Sequence, residues 1–390
     1  MVGYQDFRMP EAVRFGVGAL QTLPEEVKKF GAKKIGLISD KGLEAAGVIQ
    51  MVAELLQPLS LPIITFTDIQ GEPTFSLLEK TIKTIKDEGC DLVVGIGGGS
   101  AMDVAKTTAA LLNKKDIEDY LSSKKTIEER GVPCILLPTT SGTGAEVTMN
   151  AIFGDEVQEV KRGLVSPALL PDLAIVDPAL TISCPRRVTA ASGVDAFTHA
   201  IESYVAVRST PLTQIYAEKA MKLFPLYISR AVNHGKDLDA RIGMSWVSHL
   251  AGVSLANAGV GAVHALAYPL GGKYHIEHGI ANALLMPFVF EVTGTTCIDQ
   301  MVDIAAFLRL GDYRQHPNDS LGAVVRYLYS LLSELDLPTS LKELGVEESS
   351  LPMLAAQAAK IDRLLSNTPY NLTERKILSI YQKAYNGMIN

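Results

Sequence analysis

Cysteine, aromatic side chains, basic clusters and long apolar runs are all scarce in this chain, and each scarcity closes off a class of protein. The four cysteines, Cys90, Cys134, Cys184 and Cys297, lie far apart with no C-x-x-C spacing. That excludes a zinc knuckle or a disulfide scaffold and leaves them as reduced packing residues. Aromatics are 6% of the chain, the formal net charge is -7, and no Lys/Arg cluster supplies a basic stripe. Sequence-independent binding to nucleic acid is thereby disfavoured. No stretch reaches the length of a membrane span, and residues 1–18 lack the basic-then-apolar order of a signal peptide. The expectation is a cytoplasmic protein, with no nucleic-acid or membrane partner, that acts on a small molecule.

What is present is the profile of a globular enzyme: 47% hydrophobic and 20% charged residues over 390 positions. That length exceeds what one hydrophobic core usually organises, so two domains are expected. In the first half, short apolar runs alternate with amphipathic stretches. Residues 35–39, 62–66, 92–96, 135–137 and 174–176 are too short for buried helices and rich in β-branched residues. Between them, 78–88 and 102–112 carry helical spacing. This alternation predicts a mostly parallel sheet covered by helices. A pair around Phe7–Met9 and Val13–Phe15 is expected to add an edge hairpin. From about Thr189 onward strand-like runs vanish and the pattern becomes helical. The fold class is therefore α/β followed by all-α, with a Rossmann-like domain over 1–183 and a helical domain over 184–390.

Two glycine-rich segments leave strands in the first domain. Gly97-Gly98-Gly99-Ser100 follows the run ending at Ile96 and opens into a helix, where backbone N–H groups and the helix dipole can hold a pyrophosphate. Its spelling departs from the usual dinucleotide fingerprint, and a plain structural joint stays open as the alternative. Pro138 to Glu146 adds the hydroxyls of Thr139, Thr140, Ser141 and Thr143 beside two further glycines. If both turns sit at the carboxyl ends of neighbouring strands, the crevice there is the expected nucleotide site; capped helix starts are the simpler reading. Asp40 ends the first strand of this domain. A carboxylate there can accept hydrogen bonds from a ribose and repel a 2′-phosphate, favouring NAD over NADP, or it can merely cap a helix.

In the second half Asp195 and His199 stand at i and i+4, pointing from one helix face. His264 and His278 follow, so that four of only seven histidines (with His275) fall in these segments. A carboxylate with neutral imidazoles suits a first-row divalent ion, ferrous iron (Fe2+) or zinc (Zn2+) in particular. A local Asp–His helix pair is the alternative, but burying this many ionisable groups without a metal would be costly.

These motifs resemble those of the iron-containing (group III) alcohol dehydrogenases. The resemblance rests on GGGS-x-x-D-x-x-K (Gly97 to Lys106), PTT-x-GTG-x-E (Pro138 to Glu146), G-x-D-A-x-x-H-A-x-E (Gly193 to Glu202) and the His264/His278 pair. It implies an amino-terminal Rossmann-like domain, an all-helical second domain and an active site in the cleft between them. It also implies that Asp195, His199, His264 and His278 are metal ligands and that the 97–100 loop, with Asp103 in its motif, binds pyrophosphate. Thr139, Thr140, Ser141 and Thr143 belong to the nucleotide turn by the same resemblance, and Lys161 is a basic residue beside the cofactor. The implied activity is hydride transfer between NAD(H) and a small alcohol or aldehyde held at a divalent metal, in a homodimer or larger oligomer. Tyr268 stands where many members carry a second histidine, so proton transfer falls to Tyr268, to His275, or to a route through ribose and water, with a plain cleft-wall role for Tyr268 as the simpler alternative. Glu72-Pro73 stands where many members carry Asn-Pro. A hydroxyacid-oxoacid transhydrogenase or maleylacetate-reductase-like enzyme is the nearest rival, with Arg162, Arg186 and Arg187 as candidate cations for acidic substrates. A non-redox lyase of the dehydroquinate-synthase type is the other.

Overall fold

The computed structural model describes residues 6–156 and 160–387. They fall into two compact units, Met1–Thr140 with Gly144–Cys184, and Ser141–Thr143 with Pro185–Asn390.

The first unit holds eight strands among the described residues: β1 (Ala12–Phe15), β2 (Ile35–Asp40), β3 (Ile63–Ile69), β4 (Leu92–Gly97), β5 (Cys134–Pro138), β6 (Asn150–Asp155), β7 (Val160–Val165) and β8 (Leu173–Val176). Six of them form a parallel sheet in the order β1-β8-β5-β4-β2-β3. Alternation along each strand feeds two separate cores. Ile35, Leu37, Leu92, Val94, Ile96, Ile135 and Leu137 pack with Val52 and Leu23 on one face, while Ile38, Val93 and Leu136 pack with Ile82 and Val104 on the other. A sheet buried on both faces needs strands without a polar side, which is why these runs are almost continuously apolar. The chain winds outward from β2 to β3, then crosses back to lay β4 on β2's other side. That reversal makes a crevice at the carboxyl ends of β2 and β4, where open α/β sheets place ligands.

Two differences from the sequence expectation stand out. Phe7 to Met9 form no strand, and there is no edge hairpin; β1 instead runs parallel to β8, with Ala12 opposite Leu173 and Phe15 opposite Val176. Pro10, lacking an N–H, lies between the two segments and denies a ladder there. Conversely, β6 and β7 form an antiparallel hairpin that the sequence reading passed over.

The second unit is helical. Helices Arg186–Val205, Pro211–Asn233, Leu238–Ala258, Ala262–Tyr274 and His278–Thr293 share one continuous core with the later helices. Phe197 and Phe224 stack across two of them at 4.1 Å between ring centroids. Among the described residues no single helix is long and apolar enough to cross a membrane. All four cysteines are free, and burial pushes the Cys134 thiol up to about 12, which keeps it protonated and inert.

Candidate metal centre and nucleotide-binding turns

At the end of β4, Gly97 has φ +152°, and a Cβ there would come within 2.7 Å of the Ala101 methyl and 3.1 Å of Asp40 Oδ2. Only glycine fits both constraints. Gly98 is the N-cap of the 13-residue helix Gly99–Leu111 and supplies no side-chain cap, so the first-turn N–H groups face outward as an anion site requires. Gly98, Gly99 and Ser100 are all partly exposed. Thr139 N–H donates to the Gly97 carbonyl at 2.9 Å, and Thr140 lies against Gly98, so the two glycine-rich segments are neighbours. Asp40 caps helix Lys41–Ala45, its Oδ1 accepting from Leu43 N–H at 3.0 Å. Its other oxygen stands over Gly97, at the switch between β2 and β4. The capping role and a place at the crevice thus coexist in one carboxylate.

Other residues of these motifs are tied into the fold. Asp103 accepts from Ile152 N–H at 2.9 Å and pairs with Lys106 at 3.0 Å; burial raises its carboxyl against the pull of Lys106. Lys106, 1% exposed, also donates to the Ala145 carbonyl and Thr148, pinning the helix to the β6–β7 region. Lys161 pairs with Glu72. Ser141 and Thr143 group with the second unit, where Ser141 Oγ lies 3.4 Å from Ser245 Oγ.

In the second unit, helix Arg186–Val205 presents Asp195, His199 and Glu202 along one buried face, at 2%, 4% and 4% exposure. His264 sits in the first turn of Ala262–Tyr274, and His278 opens helix His278–Thr293. A Cβ on Gly279 would strike the Ala191 carbonyl at 2.7 Å, so glycine is what lets that helix start lie against the Asp195 helix. The Nε2 atoms of His199, His264 and His278 stand 3.8, 3.9 and 4.0 Å from Asp195 Oδ1. These separations are too long for hydrogen bonds. They fall within the reach of two bonds of about 2.0–2.2 Å to one shared ion, and the donor atoms of Asp195, His199 and His264 all lie within 4.8 Å of one another. A helix pair contributes only about 0.2–0.5 kcal/mol, against several kcal/mol to desolvate each charge, so local Asp–His pairing does not explain the burial.

The donor chemistry fits a divalent cation. Burial pushes His199 below the usual imidazole range against the pull of Asp195. Burial would raise Asp195, but the three imidazoles and the Asn282 amide together hold it below the usual carboxylate range. Metal binding needs a charged carboxylate and unprotonated imidazoles, and a bound ion would supply the positive charge that protonated imidazoles otherwise give Asp195. Asn282, one turn after His278 and fully buried, aims its Nδ2 at the convergence point, 2.7 Å from Asp195 Oδ1, 3.2 Å from His264 Nε2 and 3.1 Å from His278 Nε2. An electropositive group therefore sits where the lone pairs meet, while Asn282 Oδ1 has no hydrogen-bond partner. Sequence reasoning missed Asn282. Its signal was a lone amide in the apolar run from Ile280 to Val289, at i+4 from a proposed ligand.

Of the proton-transfer candidates, Tyr268 lies beside the cluster, its ring 6.1 Å from that of His278. His275 is exposed and caps helix Ala262–Tyr274 in a left-handed conformation, φ 53°. The arginines that acidic substrates would call on are engaged elsewhere: Arg162 with Asp155, Arg186 with Asp336, Arg187 with Glu277.

Residues 10–178 match the family model described as iron-containing alcohol dehydrogenase, and 189–385 match its C-terminal counterpart. The chain is 41% identical to long-chain-alcohol dehydrogenase 1 of Geobacillus thermodenitrificans, covering 97% of this chain and 96% of that protein. It is 32% identical to the NAD-dependent methanol dehydrogenase of Bacillus methanolicus, covering 97% and 99%. The solved alcohol dehydrogenase from Oenococcus oeni superposes with a TM-score of 0.93 at 29% identity, covering 98% of this chain and 100% of that one.

Proposed function

Because the chain belongs to the iron-containing alcohol dehydrogenase family, we propose that it transfers a hydride between NAD(H) and a small alcohol or aldehyde, using an ion held by Asp195, His199, His264 and His278. The observation that carries this reading is the convergence of three imidazole Nε2 atoms on Asp195 Oδ1 at 3.8 to 4.0 Å. Ferrous iron is the first candidate, zinc the second. A bound divalent ion would stabilise negative charge developing on the substrate oxygen.

The chain's own residues supply the rest. Asp195 contributes the anionic donor and lowers the net charge of the site. Apolar neighbours on the same helices, among them Val194, Ala265 and Ile280, exclude water and so strengthen every electrostatic interaction within. Tyr268, beside His278, is the better placed group to pass a proton through its hydroxyl; His275 lies exposed on the helix end. In the first unit the N–H groups of Gly98, Gly99 and Ser100 take the pyrophosphate, with Thr139 and Thr140 beside them and Lys161 as a nearby cation. Asp40 accepts from the adenosine ribose and repels a 2′-phosphate, which favours NAD over NADP. The NAD-dependent methanol dehydrogenase among the relatives supports the same preference. The reading extends to a cytoplasmic location, which fractionation of cells tests, and to a homodimer or larger assembly, which light scattering on purified protein tests.

Replacing His264 by Ala is expected to abolish bound metal and alcohol oxidation while nucleotide binding survives. An active, metal-free H264A enzyme would overturn the scheme.

A further inference from the structure

We infer that Glu202 is a positioning residue that sets the tautomer of His264 and thereby turns its Nε2 lone pair toward the metal. The inference rests on the metal reading above. It starts from a buried carboxylate, 4% exposed, that has no place among the four ligands. Such a group is tolerated only when its oxygens are occupied. Glu202 Oε1 accepts from the Val263 N–H at 2.7 Å, and Oε2 lies 2.5 Å from His264 Nδ1. Two donors therefore converge on it from consecutive residues of one helix start.

The tautomer follows from acceptor counting. An ionised carboxylate offers only lone pairs, so the proton on the Glu202–His264 contact must come from Nδ1. A neutral imidazole that donates from Nδ1 must present a bare lone pair at Nε2. That Nε2 is the atom facing Asp195 Oδ1, and the Asn282 amide nitrogen, which carries only donor hydrogens, lies 3.2 Å from it. The helix register makes the arrangement: Glu202 is seven residues beyond Asp195, about two turns along one face, so a single helix supplies both a ligand and the group that orients another helix's ligand.

Gln is the informative replacement. Its amide keeps the shape but offers one acceptor and one donor against two donors. Either Val263 N–H is left unpaired, or the NH2 faces His264 and forces the proton to Nε2, blocking the metal face. Asp would keep the charge but withdraw it.

The experiment has two arms. In metal-free protein, long-range 15N–1H spectra of the histidine rings report the tautomer: wild type is expected to show His264 as the Nδ1–H form, and E202Q a loss or mixing of it. In the second arm, Zn2+ and Fe2+ are competed against a chelator under anaerobic conditions. E202Q is expected to bind about 10- to 100-fold more weakly than wild type, with E202D between them and NAD affinity unchanged in both. Wild-type affinity in E202Q together with an unaltered His264 tautomer would overturn the inference; if E202Q does not fold, E202D decides by the same two readouts. Failure of the wild-type protein to bind either ion would instead contradict the metal reading, and the tautomer arm would still decide the role of Glu202.

Discussion

At the end of β4 the groups open to a ligand are backbone N–H groups of partly exposed residues, Gly98 to Ser100, while around Asp195 they are side chains, with Asp195, His199 and His264 at 2%, 4% and 3% exposure. The first site is made by one turn and depends on the absence of side chains. The second draws on three helices and depends on each side chain separately. A backbone site should therefore be broken by adding a methyl group, and a side-chain site by removing a single functional group. Damage to either should leave binding at the other intact.

The strongest break is expected at Asp195. Asp195→Ala removes the anionic donor and should lower kcat/KM by at least about 1,000-fold, on the order of 4 kcal/mol of transition-state stabilisation. Metal analysis should show the ion gone, and titration calorimetry should show NAD affinity retained. The mirror experiment is Gly97→Ala. The required φ of +152° and the 2.7 Å approach to Ala101 predict strain of about 1–3 kcal/mol. Read as weakened nucleotide binding, that is about 5- to 150-fold, with metal content unchanged.

A finer distinction comes from Asp40→Asn. Asn caps a helix about as well as Asp, so stability should change by less than about 0.5 kcal/mol. Removing the charge should cut the NAD-over-NADP ratio of kcat/KM by about tenfold, or about 1.4 kcal/mol. An unchanged ratio would confine Asp40 to its capping bond with Leu43. The smallest effect concerns pH. Because burial lowers the pKa of His199, the unfolded chain takes up its proton more readily than the folded one. Its contribution to stability is complete above the ordinary value of 6.5 and is lost as the pH falls below it. Thermal unfolding of metal-free protein between neutral and mildly acidic pH should show this slope, and H199Q should flatten it.

The same contrast explains what the sequence revealed. The parallel sheet was legible because strands buried on both faces must be apolar throughout, and 92–96 and 135–137 lie within β4 and β5. The glycine turn was legible because its constraint is local. The hairpin of β6 and β7 was not: Gly154 and Gly163 dilute its apolar alternation, and its pairing shows only in three dimensions. Val13–Phe15 were read as half of a hairpin, whereas their partner is about 160 residues away. In the metal cluster, Asp195 and His199 share a helix turn and could be paired from spacing. The joining of His264 and His278 to them rested on family resemblance, since no local pattern links separate helices. Asn282 and the Glu202–His264 contact escaped because they are properties of helix packing, the first of them resting on the close approach permitted by Gly279.

The central claim is that four side chains of the second unit hold one ion independently of the nucleotide turn. The direct measurement is metal content per chain after anaerobic Fe2+ reconstitution and desalting, for wild type, H199A, H264A and H278A, with NAD affinity measured on the same samples. The account predicts about one ion per wild-type chain, little in any variant and similar NAD affinity throughout. Variants that keep a full complement of tightly bound iron would contradict it.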